Sequence, residues 1–110
     1  MRFAGGLALL GALAVALAAA GCTESAPKNP LAERGRQVYL AQCTQCHSSD
    51  PGQAGPVGPP VKGASRELLE ARIRRGSYPA GYRPKRSTSI MPPQPSVASD
   101  IPALAEYLKD

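Results

Sequence analysis

The sequence has no tryptophan, one phenylalanine, one histidine and only three cysteines in 110 residues. With so few large aromatic side chains, the chain has little apolar mass for an interior. Its length allows one small domain and leaves no room for a second core. Long β-rich architectures, large α/β enzymes and nucleotide-binding folds are excluded. Acids are also scarce, 8 against 13 Lys and Arg, for a formal charge of +5. Proline and glycine are plentiful, at 12 and 11 residues. A chain this small and this thinly packed needs a disulfide, a metal or a bound group to hold it.

No charged residue occurs between Arg2 and Glu24, and Phe3 to Gly21 is a run of nineteen uncharged residues rich in Ala, Leu and Gly. A basic start, an apolar middle and small closing residues describe a secretory signal. The closing Ala19-Ala20-Gly21-Cys22 resembles the lipobox of bacterial lipoproteins, with Ala19 where that pattern prefers Leu. The resemblance implies cleavage before Cys22 and lipidation of that cysteine. The alternatives are a plain secretory signal and an uncleaved anchor, though nineteen residues at about 1.5 Å each barely cross a bilayer core. Either way the folded part is exported, and a bacterial membrane with the domain on its periplasmic side is the expected location. Residues 1–21 are read as the signal, 22–29 as a tether and 30–110 as the domain. The 89 residues from Cys22 onward carry 12 basic and 8 acidic side chains. Lipidation leaves Cys43 and Cys46 as the only thiols, so no disulfide framework is expected.

The domain reads as all-α. Asn29 is placed to cap a helix with Pro30 at its first position, where a missing N–H costs nothing. Leu31, Gly35, Val38 and Tyr39 then share one face of a segment ending near Gln42. Ser65 can cap a second helix, buried through Leu68, Leu69, Ala71 and Ile73 and stopped by Gly76. A third is expected from Ser99 or Asp100 to the end, its apolar side formed by Ile101, Leu104, Ala105 and Leu108. Between these elements, Pro51–Gly63 holds four Pro and four Gly, and Gly76–Ser96 holds five Pro. Loops of that length tend to be functional or to wrap something.

Chemistry concentrates in Cys43-Thr44-Gln45-Cys46-His47. Cys-x-x-Cys-His is the attachment signature of c-type haem. Two sulfurs three residues apart on a helical turn reach the two vinyl groups of one porphyrin, and the adjacent imidazole projects toward the iron. A structural zinc site needs four ligands, and only three stand close together here. A thioredoxin-like pair needs a βαβ setting that this pattern lacks. Chance occurrence in a plain secreted domain is the remaining alternative. One covalent haem c also supplies the missing interior. Met91 is the only methionine beyond the amino-terminal segment, 44 residues after His47 and followed by Pro92-Pro93. The two prolines suit a rigid segment presenting the thioether as the sixth iron ligand; the alternative is a core-filling methionine. A thioether ligand favours reduced iron and occupies the site a substrate would need, so catalysis by the chain is not expected.

From Leu31 to Lys109 the sequence resembles the small class I bacterial cytochromes c, especially the short pseudomonad type. The resemblance rests on several motifs. Gly35-x-x-Val38-Tyr39-x-x-x-Cys43-x-x-Cys46-His47 leads, with Gly58-Pro59-Pro60-Val61 next. Ala71-Arg72-Ile73-x-x-Gly76-Ser77, Met91-Pro92-Pro93 and Leu104-Ala105-x-Tyr107-Leu108 complete the set. It implies three to four helices around a single haem, with the first and last crossing closely at Gly35 beside Tyr107. It further implies that the Pro59 carbonyl accepts from the His47 ring N–H. Gly55-Pro56 repeats the dipeptide and is a second candidate for that role. The tryptophan that short members often place before the Met, near a haem propionate, is missing, and Tyr78 and Tyr82 are candidate substitutes.

Six cations and no acid lie between Arg72 and Arg86. They form either a solvated face, with Arg72, Arg74 and Arg75 complementing a helix C-terminus, or a positive collar steering an acidic redox protein. Arg83, Lys85 and Arg86 are the candidates for docking. Nucleic acid is a poor partner for an exported chain. The expected function is one-electron carriage between membrane or periplasmic redox proteins. The alternatives are a cytochrome subunit docked in an oxidoreductase complex, or a haem ligand sensor or peroxidase.

Overall fold

The computed structural model describes Met1, 28–88 and 90–110. Apart from Met1, the expected signal lies outside the described residues, as do the lipidation site Cys22 and the tether up to residue 27. Helix α1 spans Pro30–Gln42, α2 spans Arg66–Glu70 and α3 spans Ile101–Leu108. No strand occurs among the described residues. The start of α1 follows from local chemistry: the Asn29 side chain accepts from the Ala32 N–H at 3.1 Å, and Pro30 occupies the first turn.

Helix α2 does not run on to Gly76 in α geometry as expected. It continues into a π-helical turn over Ala71–Arg75, and Gly76 closes it at φ 64°, in the left-handed region that favours glycine. The widened turn has a tertiary partner. The Ile73 carbonyl accepts from the Gln94 N–H at 2.7 Å, whereas Ser77 donates back to Ala71 at 3.1 Å. Helix α3 likewise starts differently, being preceded by a 3-10 turn over Pro95–Asp100. Asp100 makes no side-chain cap; its carboxylate takes two hydrogen bonds from Arg34 of α1, at 3.0 and 3.2 Å.

The core lies where α1, the π turn and α3 meet. Val38, Tyr39, Ile73, Val97, Ile101, Leu104 and Leu108 form it. Helices α1 and α3 cross at Gly35, where an added Cβ would overlap the Ala103 carbonyl and stand 2.8 Å from the Tyr107 Cβ. The Tyr39 and Tyr107 rings pack beside the crossing, 5.6 Å apart. This crossing explains two departures from the expected faces. Ala103, rather than Ala105, is buried because it abuts Gly35; Leu31, one turn before Gly35, is 48% exposed and lies outside the core.

Candidate functional site

The carboxyl end of α1 turns without a break into the Cys43–His47 segment. The Cys43 N–H closes the helix on Tyr39 at 2.9 Å, and the Cys43 carbonyl accepts from the His47 N–H at 3.0 Å. Helical geometry therefore sets the two cysteines and the histidine around one turn. The Tyr39 hydroxyl, buried beneath it, donates to the Ser48 carbonyl at 2.5 Å and ties down the far side of the turn.

The following Pro/Gly loop folds back over this turn. Val57 and Gly58 donate their N–H groups to the Cys46 carbonyl at 3.1 and 2.7 Å. Gly58 lies against the imidazole so closely that an added Cβ would overlap it, with Nε2 only 2.9 Å away. The next residue supplies the ring's partner, and His47 Nδ1 donates to the Pro59 carbonyl at 2.8 Å. A carbonyl can only accept, so the proton sits on Nδ1 and the Nε2 lone pair is available to a metal. The partner is Pro59 rather than Pro56. Gly55 instead donates to the Gly58 carbonyl at 2.9 Å and closes the loop.

Cys43, Cys46, His47 and Met91 all line one cavity of about 590 Å³. Its wall is completed by apolar side chains from every element, among them Val61, Leu68, Leu69, Ile73 and Leu104. Leu68 and Leu69, expected to be buried, are half-buried and line this space, Leu69 packing against the core as well. Burial pushes the Cys43 thiol up to about 11, so it stays protonated at neutral pH. A neutral thiol is poorly suited to act as a metal thiolate or redox nucleophile. Among the described residues no group of three or more His, Cys, Asp or Glu side chains is set to hold a metal ion by itself.

The other sequence candidates divide. Tyr78 and Tyr82 both reach the cavity wall, stacked on each other at 5.4 Å. Lys85 and Arg86 line its edge, and Lys85 Nζ donates to the Pro60 carbonyl at 2.8 Å, fastening the long loop across to the loop after His47. Arg83 is exposed and stands outside the lining. Arg72 departs most from the solvated-face reading. It is 8% exposed, lines the cavity, and lies 4.2 Å over the Tyr78 ring. Arg74 does behave as a surface cation, pairing with Glu70.

Two contributors escaped the sequence reading: Gly58 as the floor beneath the imidazole, and Arg72 as a buried cation. A signal for the second exists, because position 72 falls three and four residues after Leu69 and Leu68, on the apolar side of the helix.

The residues present fit a haem. A large apolar cavity is bordered by two thiols on one helical turn, an imidazole with a fixed tautomer and a thioether. A small helical domain built around such a cavity is a cytochrome c domain. Residues 30–108 match the family described as cytochrome c oxidase, cbb3-type, subunit III, and the chain belongs to that family. No curated protein and no solved structure matches the chain. Membership implies covalently bound haem c and haem-based electron transfer.

Proposed function

We propose that this chain is a single-haem, one-electron carrier, in which Cys43 and Cys46 would carry the thioether links and His47 and Met91 would hold the iron. The sequence contains one Cys-x-x-Cys-His, which supports one haem. The observation that carries the reading is the convergence of those four side chains on one apolar cavity, with Nδ1 of His47 held by Pro59. A haem bound there supplies exchange of a single electron between ferric and ferrous iron.

The chain's own residues have three tasks. Pro59 holds the proton on Nδ1 and makes the ring a stronger donor through Nε2. The apolar wall excludes water, and the Met91 thioether favours the reduced state. Were His47 and Met91 both to hold the iron, the chain would leave it no open site for a substrate and would support one-electron exchange alone. Arg83, Lys85 and Arg86 steer acidic redox partners, while lipidated Cys22 holds the domain at the periplasmic side of a bacterial membrane.

The test is expression beside a c-type maturation apparatus. The expected product stains for haem on a denaturing gel and shows a sulfur-to-iron charge-transfer band in the ferric state. Met91→Ala is expected to abolish that band and admit carbon monoxide to the ferrous protein. A colourless product, or an unchanged spectrum in the variant, would overturn the assignment.

A second reading, a subunit held within an oxidase complex, is favoured by the family's description. Gel filtration of the full chain extracted from membranes separates the two: a carrier elutes alone, and a subunit elutes with its complex.

A further inference from the structure

Arg72 is the buried charged residue of the described domain, and no carboxylate there lies within ion-pairing distance of it. Burying a guanidinium is costly unless hydrogen bonds replace the lost water. Two carbonyls do so. Nη1 donates to the Gly76 carbonyl at 2.8 Å, and Nη2 donates to the Met91 carbonyl at 3.3 Å. The Tyr78 face beneath the guanidinium centre adds a cation–π contact. One planar group thus joins the end of the π-helical turn to the backbone of Met91 itself.

The same turn grips this segment again. In an uninterrupted α-helix the Ile73 carbonyl would accept from the Ser77 N–H. Ser77 donates to Ala71 instead, and the Gln94 N–H takes the Ile73 carbonyl. Pro93 lies between the two attachments and rests on Gly76, where an added Cβ would stand 3.2 Å from the proline ring. The turn over Ala71–Arg75 is therefore a clamp on residues 91–94.

We propose that Arg72 is a positioning residue for Met91, keeping the thioether at the cavity wall by holding its backbone to the π turn. The inference rests on the reading of Met91 as an iron ligand. It predicts that loosening the clamp makes Met91 easier to displace while leaving the haem attached.

Imidazole added to ferric holoprotein competes with the thioether, and the loss of the sulfur-to-iron band gives its apparent affinity. In Arg72→Gln, imidazole is expected to bind about tenfold more tightly, as removal of hydrogen bonds from a charged donor implies. Arg72→Lys keeps the charge but loses the planar fork, so it should behave like the glutamine variant. Tyr78→Leu, which leaves Arg72 in place but removes its platform, should shift the affinity in the same direction. It serves as the test should the Arg72 variants fail to mature. Ile101→Val, a core change away from the cavity, should lower the denaturation midpoint without altering imidazole affinity. Parental affinity in Arg72→Gln, or in Tyr78→Leu if that variant alone matures, would overturn the proposal, as would full rescue by lysine or an equal shift in Ile101→Val. Lack of the band in the parent protein would instead refute the ligand assignment itself.

Discussion

His47 Nδ1 lies 2.8 Å from the carbonyl oxygen of Pro59, and the glycine before that proline has no space for a side chain because the imidazole fills it. The two facts are one arrangement. Only a glycine at 58 lets the loop come close enough for the next carbonyl to reach the ring. The ligand tautomer is thus set by backbone, through a residue twelve positions along the chain.

Gly58→Ala is accordingly expected to destabilise the holoprotein by roughly 1–3 kcal/mol, the usual cost of overfilling a packed site. Gly52→Ala, on the exposed part of the same loop, should cost much less. Chemical denaturation of both variants makes the comparison. Equal midpoints would mean that the loop yields and that the close approach is not required.

Gly35 offers a second steric test. Its missing side chain allows the α1–α3 crossing, so Gly35→Val should spread the helices and cost at least about 2 kcal/mol. The haem spectrum should survive in whatever fraction folds, because Gly35 does not line the cavity. A valine variant with parental stability would contradict the crossing.

Burial raises Tyr39 to about 12, against roughly 10 for an unperturbed tyrosine. The folded state thus holds the phenolic proton more tightly than the unfolded chain does. The resulting stability is complete below pH 10 and is lost as pH rises toward 12. Tyr39→Phe has no ionisable hydroxyl and so escapes this loss; below pH 10 it lacks only the hydrogen bond to Ser48, worth about 1 kcal/mol. In denaturation curves the parent should therefore be slightly the more stable at pH 8 and lose stability relative to the variant as pH rises from 10 to 12. Parallel pH profiles would show that the hydroxyl is not sequestered.

The exposed cations near the cavity edge should act through the solvent. Neutralising Arg83, Lys85 and Arg86 together is expected to slow electron transfer to an acidic partner about tenfold at low ionic strength and to flatten the salt dependence. Lys85 also ties its loop to Pro60. A double Arg83→Gln, Arg86→Gln variant separates steering from tethering and should retain most of the effect. Salt profiles unchanged by either set would remove these residues from the docking surface.

Features with local causes are legible in the sequence. Asn29 and Pro30 begin α1 because a side-chain acceptor and an absent N–H act within one turn. The same holds for Ser65, whose hydroxyl accepts from the Leu68 N–H at 3.1 Å. Cys43, Cys46 and His47 could be grouped from spacing alone, since a helical turn dictates their proximity. Gly76 announced the end of its helix for a similar reason.

By itself the sequence determined the starts of α1 and α2, the attachment turn and the need for a bound group, all consequences of hydrogen bonding and spacing over a few residues. Tertiary structure alone decided that Arg72 leaves solvent for the Met91 carbonyl, that Asp100 turns to Arg34 instead of capping α3, and that Ile73 yields its carbonyl to Gln94. Each of those partners is about twenty or more residues distant. Which of several acceptors a polar group meets then depends on how the helices pack around the cavity, and no local preference encodes that.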